Sequence, residues 1–234
     1  PETTGAESVT DASDPAINYD GTALACLGDT GRSLYFFSGG KGQYLVKNKK
    51  MTAPSFDSFG WLWVAESDGA VRAYNAASTN EKERSKGIEI PVSWRSGMTF
   101  SSLRVSHDGA RVVVVGTRDG TAAVVMSGVV RDSSGTPKGF TEPVRVTSSI
   151  TPRTAVWAGE QNLVVVNDKT GESEVTTLSG EETKFDRLDG VKSVSAAGNT
   201  SNMLAHRSDG SCYVLEERGW NRLNTSTREM SFAG

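Results

Sequence analysis

An all-β fold made of repeats is predicted by three features of this 234-residue chain. The first is a hairpin signal. In LRVSHDGARVVVV (residues 103–115) two β-branched runs flank His107-Asp108-Gly109, and Asp-Gly between short apolar runs marks a tight turn between antiparallel strands. The second is composition: 25 glycines, with Val and Thr crowding the apolar runs, favour many short strands over helices. The third is recurrence. The glycines of the first turns fall at 21, 60, 109, 159 and 198, spaced 39, 49, 50 and 39 residues apart. Four strands in roughly 40 to 50 residues is the period of a propeller blade. The chain therefore reads as a β-propeller of five four-stranded blades with almost no helix, or of six incomplete blades if neither terminus completes a sheet. A β-sandwich also suits regularly spaced strands, but it needs no repeat.

The segments follow in order. Residues 1–14, PETTGAESVTDASD, carry no apolar period and read as a linker, or as the source of a ring-closing strand at 7–10; the propeller is expected over 15–234. The first repeat offers strands near 16–19, 23–27, 34–37 and 44–46, separated by Asp20-Gly21, Asp29-Thr30-Gly31 and Gly39-Gly40. In the second, PSFDSFGWLWVAESDGAVRAYN, residues 61–64 and 71–74 are middle strands around Asp68-Gly69. After it, NEKERSK (80–86) reads as a charged surface loop. The third contains the opening hairpin and passes through Asp119-Gly120 to a Gly/Ser/Pro loop before FTEPVRVT. The fourth, RTAVWAGEQNLVVVNDKTGESEVTTLSG, and the fifth, from VKSVSAAG to GWNRL, lack Asp-Gly in the first turn, while the fifth keeps Asp209-Gly210 in the second. Weak alternation within the strands fits blades covered on both faces by their neighbours. A second closing strand is available at 230–232.

Charge and apolar content exclude several classes. A net charge of −3 supplies no basic excess for nucleic acid or an anionic membrane. No run approaches the roughly 18 apolar residues of a spanning helix and no signal peptide is present, so this stretch is expected to be soluble; a monomer is also expected. Pro1 is not an initiator residue, so a processed chain or a fragment is expected. Two cysteines are too few for a disulfide framework; Cys26 and Cys212 read first as buried strand residues. They fall in the first and last repeats, which ring closure would make neighbours, so a disulfide between them is the alternative.

Catalytic and metal chemistry find little support. A glycosidase needs two or three acids converging on one funnel, whereas Asp20, Asp57 and Asp108 sit in turns, where Asp bonds nearby backbone amides. His107 and His206 are the only histidines; neither has a visible third ligand or a nucleophile-elbow serine. Asp68-Gly69, Asp119-Gly120 and Asp209-Gly210 lack the oxygen-ligand run of a calcium loop. No catalytic, cofactor or metal residue is assigned. Trp61 and Trp63 alternate on one strand and are expected in the core. Trp94-Arg95 carries the residue types enriched at binding hot spots, and with Lys82 and Arg84 of the nearby charged excursion it forms the candidate partner-binding set. The bland account of the pair is an outer-strand Trp with Arg over its ring.

Two stretches, PSFDSFGWLWVAESDG and SSLRVSHDGARVVVV, together with the terminal REMSFAG, resemble the β-propeller domain of the actinobacterial LpqB lipoprotein family, associated with the Mtr two-component system. The resemblance extends from about Pro15 to Gly234. It implies a secreted protein held at the cell membrane by a lipidated cysteine outside this chain, and a partner in the extracytoplasmic part of a sensor kinase. Neither Cys26 nor Cys212 lies in a lipobox. The leading expectation is thus a non-catalytic extracytoplasmic interaction module that modulates a sensor histidine kinase and envelope signalling. The alternative is a carbohydrate- or small-molecule-binding propeller, glycosidase-like at the extreme, with acids or aromatics lining its central funnel.

Overall fold

The computed structural model describes residue 9 and residues 11–167, 169–179, 182–184, 187–196, 203–216 and 219–223. Five antiparallel sheets stand in a ring, each built from consecutive strands. Blade 1 holds β1 (Ser13–Ile17), β2 (Ala23–Gly28), β3 (Ser33–Ser38) and β4 (Lys41–Val46). Blade 2 holds β5 (Ser55–Phe56), β6 (Trp61–Ala65), β7 (Val71–Asn75) and, after helix α1 (Glu81–Lys86), β8 (Ile88–Ile90). Blade 3 holds β9 (Thr99–Val105), β10 (Arg111–Arg118), β11 (Thr121–Arg131), β12 (Pro137–Phe140) and β13 (Val144–Val146). Blade 4 holds β14 (Thr154–Ala158), β15 (Asn162–Asn167), β16 (Glu172–Thr177) and β17 (Glu182–Lys184). Blade 5 holds β18 (Val191–Ala196), β19 (Met203–Arg207), β20 (Cys212–Glu216) and β21 (Gly219–Arg222). The count is five, and each sheet follows chain order from the axis outwards. The ring-closing candidates at 7–10 and 230–232 lie outside the described residues apart from Val9, which is in no strand; the first turn at Gly198 lies outside them too.

The valine run of β10 shows why the ring forms. Val112 and Val114 join Trp63, Val71 and Ile90 of blade 2, while Val113 and Val115 join Ala155, Leu163 and Val165 of blade 4. Successive side chains of a strand point to opposite faces, so a run of four valines makes a strand apolar on both. All four are at most 1% exposed, and each contributes about 1.5 kcal/mol by burial. Equivalent clusters fill the seams between blades 1 and 2 and between blades 4 and 5.

The inner strands β1, β5, β9, β14 and β18 are also tied laterally. Ser55 Oγ accepts from Val105 N at 3.1 Å, Ser58 N donates to His107 O at 2.9 Å, Ser101 Oγ donates to Arg153 O at 2.9 Å, and Trp157 Nε1 donates to Arg104 O at 3.1 Å. Blade 3 is thus bonded at its inner edge to both of its neighbours. A blade of alternating strands has two faces, an upper one where each inner strand begins and a lower one carrying the first turns.

Three sequence expectations need correction. The excursion at 80–86 is not a loop but a six-residue helix. The Asn80 side chain accepts from Lys82 N, Glu81 and Glu83 occupy the first turn, Arg84 and Lys86 the last, and Gly87 ends it at φ 55°, so caps and macrodipole agree. A Cβ at Gly87 would lie 2.5 Å from the Tyr74 ring. Blade 3 has five strands because the 11-residue β11 pairs with β13 along its first half and with β12 beyond it. The first strand among the described residues runs from Ser13 to Ile17 rather than near 16–19, with an irregular register between Ser13 and Ala16 and Asp14 at φ 51°.

Candidate functional site

The inner strands enclose an axial channel lined by Ile17, Phe56, Val105, His107, Trp157 and Val194 among others, with a cavity of about 90 Å³. On the upper face it opens into a hollow of about 330 Å³ whose charged lining residues are Asp14, Lys50, Arg104 and Arg153, accompanied by the hydroxyls of Thr30, Thr52, Ser101, Ser102 and Thr154. Arg104 lines both spaces and so stands at the junction of channel and hollow. Its Nη1 donates to Ala53 O at 2.6 Å and to Leu103 O at 3.2 Å. Burial pushes the guanidinium's pKa down, with the charge of Asp14 opposing. Among the described residues Asp14 is the one carboxylate lining these two spaces, and its Oδ2 accepts from Ser13 Oγ.

The lower face is different in character. Tyr19 and Phe59, 60% and 52% exposed, border a groove between the first turns of blades 1 and 2. The Tyr19 ring lies 4.6 Å from that of His107, and the guanidinium of Arg131 lies 4.4 Å above Phe59. Phe59 is held from below by a buried network. Asp57 Oδ2 accepts from Arg131 Nη2 at 2.6 Å and Trp63 Nε1 at 2.7 Å, while Oδ1 accepts from Phe59 N and Trp61 N at 2.9 and 3.0 Å. Arg131 Nη2 also donates to Gly109 O at 3.0 Å, and a Cβ at Gly109 would lie 2.8 Å from that nitrogen and 2.9 Å from Phe59. The run DSFGWLW is therefore a structural unit that presents Phe59 while its Trp63 fills the core.

The partner-binding set does not converge. Lys82 and Arg84 lie on α1, before β8, and Trp94 and Arg95 lie in the loop after it, so the two pairs occupy opposite ends of a three-residue strand and opposite faces of the ring. Lys82 is exposed. Arg84 pins the helix to blade 1 through Gln43 Oε1 at 3.1 Å and to Ser78 O at 2.6 Å. Trp94 is in a turn rather than on a strand; it packs on Phe100 and Phe140 at 6.0 and 6.2 Å between centroids, and its carbonyl accepts from Arg118. Arg95 is half-buried beside Gly69.

The remaining candidates fall as follows. Asp20 and Asp108 take the amides of Thr22 and Ala110, as turn aspartates do, whereas Asp57 is buried in the network above. His107 is half-buried with Nδ1 enclosed, not solvated, and His206 is buried within β19 with both ring nitrogens lacking a hydrogen bond. Among the described residues no hydroxyl bonds either imidazole and no group of three or more His, Cys, Asp or Glu is placed to hold a metal. Cys26 and Cys212 are buried in β2 and β20. Their neighbours Ala25, Leu27, Tyr213 and Leu215 point to the seams with blades 2 and 4, so alternation turns both thiols toward the seam of blades 1 and 5.

Sequence reasoning missed Tyr19, Phe59 and Arg104. The repeat carried a signal for the first two, since Tyr19, Phe59 and His107 each precede a first-turn glycine by one or two residues. Arg104 had none, because its position follows from which strand is innermost.

Ring topology, an apolar seam between successive blades and a polar axial hollow define a five-bladed β-propeller whose turns are displayed on a rigid frame. The family model described as the lipoprotein LpqB β-propeller domain matches residues 2–230. The chain belongs to that family. It is 27% identical over 171 residues to lipoprotein LpqB of Streptomyces avermitilis and 28% identical over 177 residues to that of Streptomyces coelicolor, in each case over 67% of this chain. The chain spans only about a quarter of the length of these curated relatives, 27% of each. Among solved structures, the nidogen/laminin complex has a TM-score of 0.65 at 11% identity, covering 95% of this chain and 84% of that one. Regucalcin, a calcium-binding protein of Agrobacterium tumefaciens, has 0.62 at 13%, covering 93% and 75%. Virginiamycin B lyase of Staphylococcus aureus has 0.60 at 11%, covering 95% and 73%. These likenesses concern the fold alone.

Proposed function

We propose that the domain is a non-catalytic interaction module of an extracytoplasmic, lipid-anchored protein, and that its lower face docks on the extracytoplasmic part of a sensor histidine kinase to modulate envelope signalling. The observation that carries this reading is the pair Tyr19 and Phe59, large exposed aromatics lining one groove on a face held by the Asp57–Arg131 network. Exposed aromatics on a pre-ordered frame lose little conformational freedom on binding, and aromatic side chains dominate interface hot spots. The relatives named as lipoproteins support the lipid anchor, and the kinase as partner rests on the family resemblance. Among the described residues the axial lining holds one carboxylate, Asp14, where a glycosidase needs a pair, which favours this reading over a glycosidase-like funnel.

The test is surface-immobilised binding of the purified extracytoplasmic domain of the cognate kinase. Wild-type propeller binds saturably; Tyr19→Ala with Phe59→Ala weakens binding at least about tenfold, the loss of roughly 1.4 kcal/mol expected of a hot spot, and leaves Tm within a few degrees. Trp94→Ala with Arg95→Ala lowers Tm because the indole packs on Phe100 and Phe140. Binding unchanged by the Tyr19/Phe59 pair refutes the surface assignment, and no binding by wild type refutes the partner.

A further inference from the structure

Among the described residues, cations outnumber carboxylates in the lining of the upper hollow, in a protein whose net charge is −3. Among the described residues the charged lining consists of Lys50, Arg104, Arg153 and Asp14, and of the cations Arg153 already has a partner. Arg104 is the informative one. It projects from an inner strand, and its protein bonds are both made through Nη1 to the carbonyls of Ala53 and Leu103. Nε and Nη2 have no acceptor among the described residues, and neither is among the enclosed polar atoms that lack one, so both remain accessible from the cavity. No carboxylate stands within 4.0 Å of the guanidinium among the described residues. Taking a cation partly out of water without an anion beside it is costly, and a planar fork with free N–H groups matches a two-oxygen anion.

We infer that the upper hollow is a binding site for a small oxyanion ligand bearing a carboxylate or phosphate, gripped by Arg104 at its floor and by Lys50 at its rim. A cavity of about 330 Å³ is within the range that admits a small solute, and the ring of threonine and serine hydroxyls supplies further donors. Asp14 opposes a second negative group on its own side of the hollow and so orients the ligand. The site lies on the face opposite Tyr19 and Phe59 and stands or falls independently of the docking surface.

The experiment is thermal unfolding of the domain with inorganic phosphate in one arm and succinate in the other, each against sodium chloride at equal ionic strength. Ligand in about 50-fold excess over Kd raises Tm by roughly 5 to 9 °C in at least one arm, and the arm with the larger rise identifies the head group. Arg104→Gln abolishes the ligand-dependent rise even if the variant starts from a lower Tm, which a role confined to bridging Ala53 and Leu103 would not predict. Lys50→Gln, at an exposed rim position, leaves the starting Tm unchanged and weakens binding several-fold, so the inference is testable even if Arg104→Gln does not fold. A rise no greater than that of sodium chloride in both arms, or rises of equal size in wild type and Lys50→Gln, overturns the assignment.

Discussion

Replacing Asp57 by alanine tests the account of the lower face most severely. The carboxylate has no exposed side-chain surface and accepts four N–H groups, from Arg131, Trp63, Phe59 and Trp61, at 2.6 to 3.0 Å. Its removal leaves the Arg131 guanidinium, 11% exposed, without its anion. It also strands the Trp63 indole N–H inside the seam of blades 2 and 3. Breaking a buried ion pair on one side costs about 3–5 kcal/mol. For a chain of this length 1 kcal/mol corresponds to about 2–4 °C, so Tm falls by roughly 6–20 °C.

The assay is paired urea and thermal denaturation of wild type, Asp57→Ala, Arg131→Met and the double variant, with Glu142→Ala as an exposed control expected within about 0.5 kcal/mol. Because the double variant removes the stranded charge together with its partner, the cycle should show a coupling of about 1–3 kcal/mol. A loss below about 1 kcal/mol for Asp57→Ala, or additivity of the two single changes within about 0.5 kcal/mol, would mean that the network does not hold the first turn of blade 2.

Two further outcomes follow from local geometry. Arg84→Ala removes the bonds to Ser78 O and Gln43 that hold α1 against blade 1; amides of residues 81–86 should exchange at least about tenfold faster while global stability falls by about 1 kcal/mol, and unchanged exchange there counts against the tether. Asp132 accepts first from Ser134 Oγ, then from Lys138 and the amides of Thr136 and Ser134, which hold its pKa down at about 2 against an ordinary 3.8 although burial opposes them. A depressed carboxylate stabilises the fold above its unfolded pKa and loses that contribution as pH falls through its folded one, so the 132–136 turn should weaken between about pH 4 and pH 2; a carboxyl carbon titrating near 3.8 by NMR contradicts this.

What the chain discloses before folding depends on how local the cause is. The Asp-Gly turns and the two-faced valine run are local, so blade count and strand positions could be read directly, and the alternation of Trp61 and Trp63 rightly placed Trp63 in the core. Helix α1 was equally local, with its Asn80 cap, its acidic then basic turns and Gly87 all in the sequence, but a run of seven polar residues without an apolar face gives no periodic signal. The split of β12 and β13 along β11 was hidden because pairing length is settled by the partner strand. Trp94 and Lys82 looked adjacent because sequence distance is a poor guide across an antiparallel strand, where a few residues separate one face of the molecule from the other.

The two faces owe their different chemistry to the same chain geometry. First turns are short, so a residue such as Tyr19 or Phe59 just before the glycine is lifted off the ring and stays exposed, which suits contact with a surface. Upper connections are longer and run inward to the start of the next inner strand, bringing Lys50 and Arg153 to the hollow from loops of different blades, while Arg104 comes from a strand. Residues drawn from separate blades are held apart by the ring radius, so they surround a space rather than form a patch. A small solute can satisfy such a ring of donors, and a flat protein surface cannot reach Arg104 at its floor. In the proposed readings, charge at the hollow recognises a solute and aromatics on the turns a macromolecule, and a ligand seated above could alter docking below only by shifting the inner strands that β9 links to both faces.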